Sequence, residues 1–241
     1  MEAMTIYSKY DKEALFCNYY PVENPKAIIQ IIHGMKEHQE RYEPFANYLT
    51  KNGYSVITSD LRGHGKNATL LGYMPGKEPW EALILDQVSI TEKIKTKCKD
   101  IPIYLFAHSM GTIITRNLIQ KYDHLYQKIV LSGVPAYQSG VHFGIMMANL
   151  IGAFKSDNYI SKFLENQTLK PFEKAIKNAK TSVDWISLSQ KNIDNYLNDP
   201  YCNIPFTISA YKALYHLVKG MHQVKAYKVS NPVLPILMLV G

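Results

Sequence analysis

The chain has 241 residues and 46% apolar side chains, enough to fill one large core, and this length fits one domain or a domain with an insertion. It carries 27 Lys and Arg against 20 Asp and Glu, a net charge of +7. Because the basic residues are scattered lysines without an Arg-rich or aromatic-interleaved patch, we expect no nucleic-acid partner. The excess charge equally suits a solvated surface or contact with anionic phospholipid headgroups.

The cysteine pattern favours a reducing compartment. Cys17, Cys98 and Cys202 are odd in number and show neither a C-x-x-C pair nor metal-ligand spacing. We therefore expect reduced thiols, a cytoplasmic location, and no metal or cofactor. The N-terminus lacks the pattern of a signal peptide, and the apolar segment 140–154 is too short and too polar to span a bilayer.

Taken in chain order, strands alternate with helices. The predicted strands cover residues 5–8, 14–20, 26–33, 54–58, 103–107, 128–132 and 234–241. The first two form an antiparallel hairpin at a sheet edge, and 26–33 and 234–241 are predicted to be buried. Helices are predicted at 42–52, 80–97 and 110–121. This alternation predicts an α/β fold with a mostly parallel sheet, helices on both faces, and a ligand site at the carboxyl ends of the strands.

From residue 135 to 205 the alternation stops. Helical periodicity appears at 140–154, 158–164, 170–177 and 189–197, without a central strand. We predict a helical cap inserted over the site, followed by helices at 208–218 and 223–229. The predicted domains are thus 1–134, the first part of the core; 135–205, the cap; and 206–241, the return to the core, which breaks off after a buried strand.

The stretch 104–114 predicts a buried strand, a tight turn at Ser109 and a helix, the pattern of a nucleophile elbow. So sharp a turn brings Ala107 and Gly111 close to neighbouring backbone, which requires small residues there. Glycine is usual at the position of Ala107. A plain strand ending at a serine that caps a helix is the alternative.

Four further segments occur around this stretch in a fixed order. They are HGMKEHQERY at 33–42, NGY at 52–54, DLRGHG at 60–65 and NDPY at 198–201. Together with AHSMG at 107–111, they resemble the α/β-hydrolase branch that contains monoacylglycerol lipases, bacterial lysophospholipases and the related S33 serine aminopeptidases. The resemblance covers nearly the whole chain.

The resemblance implies a serine hydrolase of lipid esters, lysophospholipid or monoacylglycerol, with peripheral membrane contact. Ser109 would be the nucleophile, and the N–H groups of Met35 and Met110 would form the oxyanion hole. Gly34 would let the loop approach closely, and His33 would brace it. The segment from Glu37 to His38 is expected near the pocket mouth, within reach of a substrate headgroup.

In this family the triad acid follows the strand that 234–241 resembles, and the histidine comes some tens of residues later. Asp184, Asp194 and Asp199 all fall in or at the end of the predicted cap. We therefore expect the acid and the histidine downstream of Gly241, and poor activity from the 241-residue chain by itself. A complete protein that has lost both groups is the other interpretation.

Three alternatives remain open at this point. The same fold serves soluble carboxylesterases and aminopeptidases, and a non-catalytic binding protein could also use it. The sequence leaves the oligomeric state open.

Overall fold

The computed structural model describes residues 1–136, 138–228 and 231–240. Its seven strands are β1 (Glu2–Tyr7), β2 (Ala14–Tyr20), β3 (Ile28–Ile32), β4 (Ser55–Ser59), β5 (Ile103–His108), β6 (Lys128–Ser132) and β7 (Ile236–Leu239). They form one sheet in the order β1-β2-β4-β3-β5-β6-β7. The hairpin β1–β2 is antiparallel and pairs antiparallel with β4, whereas β4, β3, β5, β6 and β7 run parallel. The predicted mostly parallel sheet with an edge hairpin is confirmed.

Seven α-helices accompany the sheet in the described residues. They are α1 (Glu43–Lys51), α2 (Pro79–Lys97), α3 (Met110–Tyr122), α4 (Val141–Phe154), α5 (Lys162–Ala175), α6 (Gln190–Asn198) and α7 (Ile208–Gly220). Helices α2, α3 and α7 pack together over the main core, and α1 covers a second apolar cluster that includes β2 and β4 side chains. The sheet therefore has helices on both faces, as the alternation predicts.

Strand β3 lies in the middle of the sheet, and all five of its side chains are buried. Its run of isoleucines suits a strand covered on both faces. Since β3 and β5 are parallel neighbours, the residues that follow them, His33 and Ser109, lie at the same edge of the sheet.

Helices α4, α5 and α6 lie between β6 and α7, in the region predicted as the cap. Helix α4 packs along α7, and α5 contacts α4. The two helices predicted at 158–164 and 170–177 are instead one helix, α5, which contains Pro171. It begins after Ser161, whose hydroxyl accepts the Leu164 N–H, and burial of Leu164 and Leu169 holds the helix together despite the proline. The limits of the cap as a unit remain a prediction.

Two further expectations about the C-terminal part are wrong. The helix predicted at 223–229 is only a 3₁₀ turn, Val224–Ala226, because the chain is pinned to α3 by the Lys228 N–H on the Gln120 carbonyl; Val229 lies outside the described residues. The strand predicted at 234–241 exists as β7, but all four of its residues are exposed, since among the described residues it pairs with β6 alone, at the edge of the sheet. Gly241 lies outside the described residues.

Two further features bear on the expected surroundings of the protein. All three cysteines are free thiols. Among the described helices, none combines the length and apolarity needed to cross a membrane.

Candidate active site

Ser109 occupies the turn between β5 and α3 in a backbone conformation that non-glycine residues rarely adopt. Its φ is 49° and its ψ is −115°, and its side chain makes no helix-capping hydrogen bond. Its N–H donates to the Ser132 carbonyl at 2.9 Å, and the Thr112 N–H and hydroxyl donate to its carbonyl at 2.9 and 2.7 Å. The strained turn is thus fixed from both sides while the hydroxyl is left out of the cap, which distinguishes it from an ordinary capping serine.

Small residues around the turn permit its close contacts. Ala107 is fully buried, so alanine fits where glycine is usual. A Cβ on Gly111 would lie 2.4 Å from the Ile32 carbonyl oxygen, so α3 starts directly against the end of β3. A Cβ on Gly34 would lie 3.2 Å from the Ser109 Cβ, so the loop after β3 touches the elbow. The structure therefore brings Ser109, Ala107, Gly111 and Gly34 together.

Glu37 anchors the loop that follows β3. Its Oε1 accepts the Gly34 N–H at 2.6 Å and the Tyr42 hydroxyl at 2.8 Å, and its Oε2 accepts Arg41 Nε–H at 3.1 Å. Glu37 is buried and both of its carboxylate oxygens accept hydrogen bonds, so its role is to hold the loop in place.

His33 and His64 brace the same loop as neutral rings. His33 Nδ1 donates to the Gly34 carbonyl at 2.8 Å and its Nε2 accepts the Leu61 N–H at 2.9 Å, which sets its tautomer. His64 Nε2 accepts the Lys36 N–H at 3.3 Å, and the two rings meet edge to face at 5.1 Å. The bracing role predicted for His33 fits these bonds.

The N–H groups of Met35, in the loop after β3, and of Met110, at the start of α3, are candidate donors to an oxyanion. In the described part of the chain, no hydrogen-bond acceptor is paired with the Met35 N–H, although the N–H groups of both neighbours are engaged. Met110 begins α3, and the first N–H groups of a helix have no partner within it. Met110 follows Ser109 in the sequence, and Met35 follows Gly34, which lies against Ser109.

The buried histidines make stability sensitive to mild acid. Burial lowers the pKa of both His33 and His64 to about 3, from 6.5 in an unfolded chain. As pH falls below about 6.5 the unfolded state binds protons that the folded state does not, so stability decreases with falling pH until about pH 3. Each ring is expected to remove up to about 1.4 kcal/mol per pH unit from the free energy of unfolding.

Urea unfolding at pH 7.0, 6.5 and 6.0 checks this, since most carboxylates titrate below that window. His64→Gln is expected to make the slope smaller, because it removes one of the two buried rings. A free energy of unfolding that stays constant over this pH window would contradict the conclusion that His33 and His64 are both neutral in the folded protein.

Hydrogen bonds and ion pairs hold the turn at 60–65 in place. Asp60 accepts the Gln39 N–H at 2.9 Å and its side-chain amide at 3.1 Å. Arg62 binds Asp86 through Nε and Nη2 at 2.7 and 2.8 Å, and Asp11 through Nη1 and Nη2 at 2.6 and 2.8 Å. This buried guanidinium ties the β1–β2 hairpin turn to α2.

His108 sits beside the nucleophile in sequence but faces the supporting glycines. Its ring atoms lie 3.3 and 3.1 Å from the positions that a Cβ on Gly34 and on Gly133 would occupy.

His38 links the loop to the end of α6 and is not free to contact a headgroup. The expectation for His38 and Glu37 is thereby corrected, since both are buried and engaged within the protein. His38 Nε2 lies 2.8 Å from Oδ2 of Asp199. The other carboxylate oxygen of Asp199, Oδ1, accepts the Tyr201 N–H at 2.8 Å. Burial opposes ionisation of Asp199, but the bonds from His38 and from the Tyr201 N–H, with Arg41 nearby, together outweigh burial and lower the pKa of Asp199.

A thiol lies in a compact group there. Donor atoms of His38, Asp199 and Cys202 lie within 4.8 Å of one another. Burial raises the pKa of Cys202 to about 12, and Arg41 stands beside the sulfur.

A cavity of about 390 Å³ opens beside the loop that follows β3. Met35 and Lys36 form one wall, and one face of α5 forms another. Its remaining lining includes Trp185 and Tyr196. Leu169 and Val183 add aliphatic surface, so the cavity is bounded by polar, aromatic and aliphatic groups, and it adjoins the candidate oxyanion donor.

Sequence reasoning gave Glu37 a different role and did not single out Lys36. Glu37 stands three residues after Gly34, and its carboxylate anchor becomes visible only once the loop folds back. Lys36 reaches Glu165 on α5, 129 residues away, at 2.5 Å, and no local pattern signals such a pair.

Comparison with known proteins identifies this arrangement. The pattern of the serine aminopeptidase S33 family matches residues 23–241. The monoglyceride lipase of Mus musculus is 26% identical over 191 residues, 79% of this chain and 57% of that protein. A probable lysophospholipase L2 of Haemophilus influenzae is 26% identical over 112 residues, 46% of this chain and 36% of that protein. The chain thus spans little more than half the length of the first of these relatives, and less of the second.

A solved structure shows the same fold. The thermostable carboxyl esterase of Bacillus coagulans, in complex with glycerol, superimposes with a TM-score of 0.81 at 22% identity, over 92% of this chain and 72% of that one. The predicted α/β-hydrolase fold is confirmed. The chain belongs to the serine aminopeptidase S33 family of α/β-hydrolases, in the branch of the monoglyceride lipases and lysophospholipases.

Proposed function

We propose that the protein hydrolyses carboxylic esters of lipids, lysophospholipid or monoacylglycerol, through an acyl-enzyme on Ser109. The observation that carries the proposal is the strained Ser109 turn pressed against Gly34 of the oxyanion loop. Such strain persists only where the surroundings enforce it, and it holds the hydroxyl above the sheet, ahead of a helix N-terminus. Relatives named as lipid ester hydrolases support the reaction class.

The N–H groups of Met35 and Met110 would stabilise the oxyanion of the tetrahedral intermediate. Both are backbone donors beside the elbow, and bonds to His33 and His64 hold the loop peptides on either side of Met35. Fixed donors of this kind need no reorganisation as charge develops, which makes them effective in a transition state.

The general base and its acid partner are proposed to follow the segment that forms β7. The family order is serine, acid, histidine, and the matched relatives are longer than this chain. Without a base, acylation would rest on the oxyanion hole and substrate binding, so the 241-residue chain is expected to turn over at least ~100-fold more slowly than the full natural protein.

The cavity beside Met35 is proposed to take the alcohol part of the ester. It adjoins the oxyanion donor and carries polar groups of α5, including Glu165 and Asn166. Hydroxyl or ammonium groups of a headgroup would find hydrogen-bond partners there.

Peripheral membrane contact is proposed for α4. Phe143, Met146, Leu150 and Phe154 recur at helical spacing on α4 and are all exposed, Phe154 by 80%. Such a stripe can enter the boundary between headgroups and acyl chains, and the basic chain would favour an anionic surface. A cytoplasmic location is proposed together with this contact.

Phe154→Glu is expected to weaken binding to vesicles of phosphatidylcholine and phosphatidylserine by about 10-fold or more, because burying one Phe side chain is worth about 1.5–3 kcal/mol. Cosedimentation measures it. Tyr48→Glu, at an aromatic residue 63% exposed on α1, is the matched control and should bind as the wild type does. Equal binding by the Phe154 variant would remove α4 from the contact.

Turnover of matched substrates by the full natural protein tests the function. Monoacylglycerol and lysophospholipid are expected to be cleaved faster than short soluble esters, and amino-acyl amides least. Preference for amides would indicate an aminopeptidase, preference for short esters a soluble carboxylesterase, and absence of all turnover a binding protein.

A further inference from the structure

Lys36 violates two local rules at a position next to the proposed oxyanion donor. Its φ is +58°, in the left-handed region that disfavours side chains other than glycine's. Its side chain is only 4% exposed, although a buried ammonium is costly unless it is paired. A lysine that combines both penalties needs surroundings that hold it in place.

Four contacts hold Lys36, and they come from opposite sides. Its N–H donates to His64 Nε2 at 3.3 Å in the core. Its carbonyl accepts the Asn203 N–H at 2.9 Å, and its Nζ bonds Glu165 Oε1 of α5 at 2.5 Å. The Nζ also stands 5.9 Å from the centre of the Phe206 ring.

These contacts bear directly on Met35. The peptide before Met35 is held through the Gly34 carbonyl, which accepts a bond from His33. The peptide after it is held through the Lys36 N–H on His64. Beyond that peptide, the direction of the backbone depends on the unfavourable φ of Lys36. The ion pair between Lys36 and Glu165 of α5 helps to keep Lys36 in this conformation.

We propose that Lys36 is a positioning residue: its ion pair with Glu165 makes the geometry of the oxyanion loop depend on the placement of α5. This rests on the proposed function, because the loop matters through the Met35 donor. When α5 is in place, the loop is held for catalysis, and loss of the pair lets residues 34–39 relax.

The test uses Lys36→Met, which keeps the stem without the charge, and Glu165→Gln, which keeps the shape of the partner. In the full natural protein kcat is expected to fall about 10-fold or more with KM changed less than about threefold, since a displaced oxyanion donor acts in the transition state. The exchanged pair Lys36→Glu with Glu165→Lys is expected to recover part of kcat.

An exposed pair offers a matched control. Lys66 and Glu40 also form an ion pair at 2.5 Å, with side chains 54% and 38% exposed. Lys66→Met should leave kcat within about twofold of the wild type, because exposed pairs contribute little.

Hydrogen exchange provides a readout that does not need activity. Residues 34–39 are expected to exchange faster in Lys36→Met and Glu165→Gln, while α3 exchanges as in the wild type. Faster exchange without any ester turnover in the wild type would support the coupling and reject the proposed function. Unchanged exchange, or a loss confined to KM, would overturn the positioning role. If Lys36→Met does not fold, Glu165→Gln decides by the same two measurements.

Discussion

Ser109→Ala is expected to lower ester turnover by the full natural protein by at least about 10⁴-fold. Removing the nucleophile of a serine hydrolase leaves only the contributions of binding and the oxyanion hole. The turn itself should survive, because the backbone bonds of Ser109 to Ser132 and Thr112 do not involve its hydroxyl. Initial rates on monoacylglycerol, with thermal unfolding to confirm the fold, measure the effect.

Ser132→Ala is the matched control, at the carboxyl end of the neighbouring strand β6. It should retain turnover within about threefold, as a substitution outside the reacting groups. Comparable turnover by the Ser109 variant and the wild type would exclude the acyl-enzyme.

Arg62→Met is expected to destabilise the fold by about 3–5 kcal/mol, the usual result of leaving a buried charge without its partner. The Arg62 side chain is 3% exposed and that of Asp86 is 4% exposed, so water cannot replace the lost bonds. The effect should appear as a fall in Tm of roughly 6–20 °C, since a domain of this size shifts about 2–4 °C per kcal/mol.

The companion experiment separates charge burial from lost packing. Adding Asp86→Leu to Arg62→Met should recover part of the loss, because it removes the orphaned carboxylate. Lys9→Met breaks the exposed Lys9–Glu92 pair and should cost no more than about 1 kcal/mol. If Lys9→Met and Arg62→Met lower the free energy of unfolding by similar amounts, burial of the Arg62–Asp86 pair does not increase its contribution to stability.

Much of the fold could be predicted because its signals are local. The β-branched run of β3 and the small residues around Ser109 report burial and close backbone contact within a few positions. The strand, turn and helix there follow from that composition.

What could not be predicted depends on tertiary contacts. Helix α5 continues through Pro171 because burial of Leu164 and Leu169 outweighs the missing N–H, which a propensity argument cannot weigh. Strand β7 has the composition of a buried strand, yet in the described residues it is paired on one side only.

The candidate site shows the same division. The nucleophile position follows from a short pattern, but the supports of the oxyanion loop join residues far apart in sequence. His38 meets Asp199 across 161 positions and Lys36 meets Glu165 across 129. Neither pair has a periodicity or spacing that sequence reasoning could detect.

The central claim is that Ser109 is the nucleophile, and covalent labelling tests it most directly. The full natural protein would be treated with a fluorophosphonate, digested and mapped by mass spectrometry. The account predicts one phosphonylated peptide containing Ser109, with no adduct after Ser109→Ala. Adduct formation at another residue in the wild type, or undiminished labelling of Ser109→Ala, would contradict it.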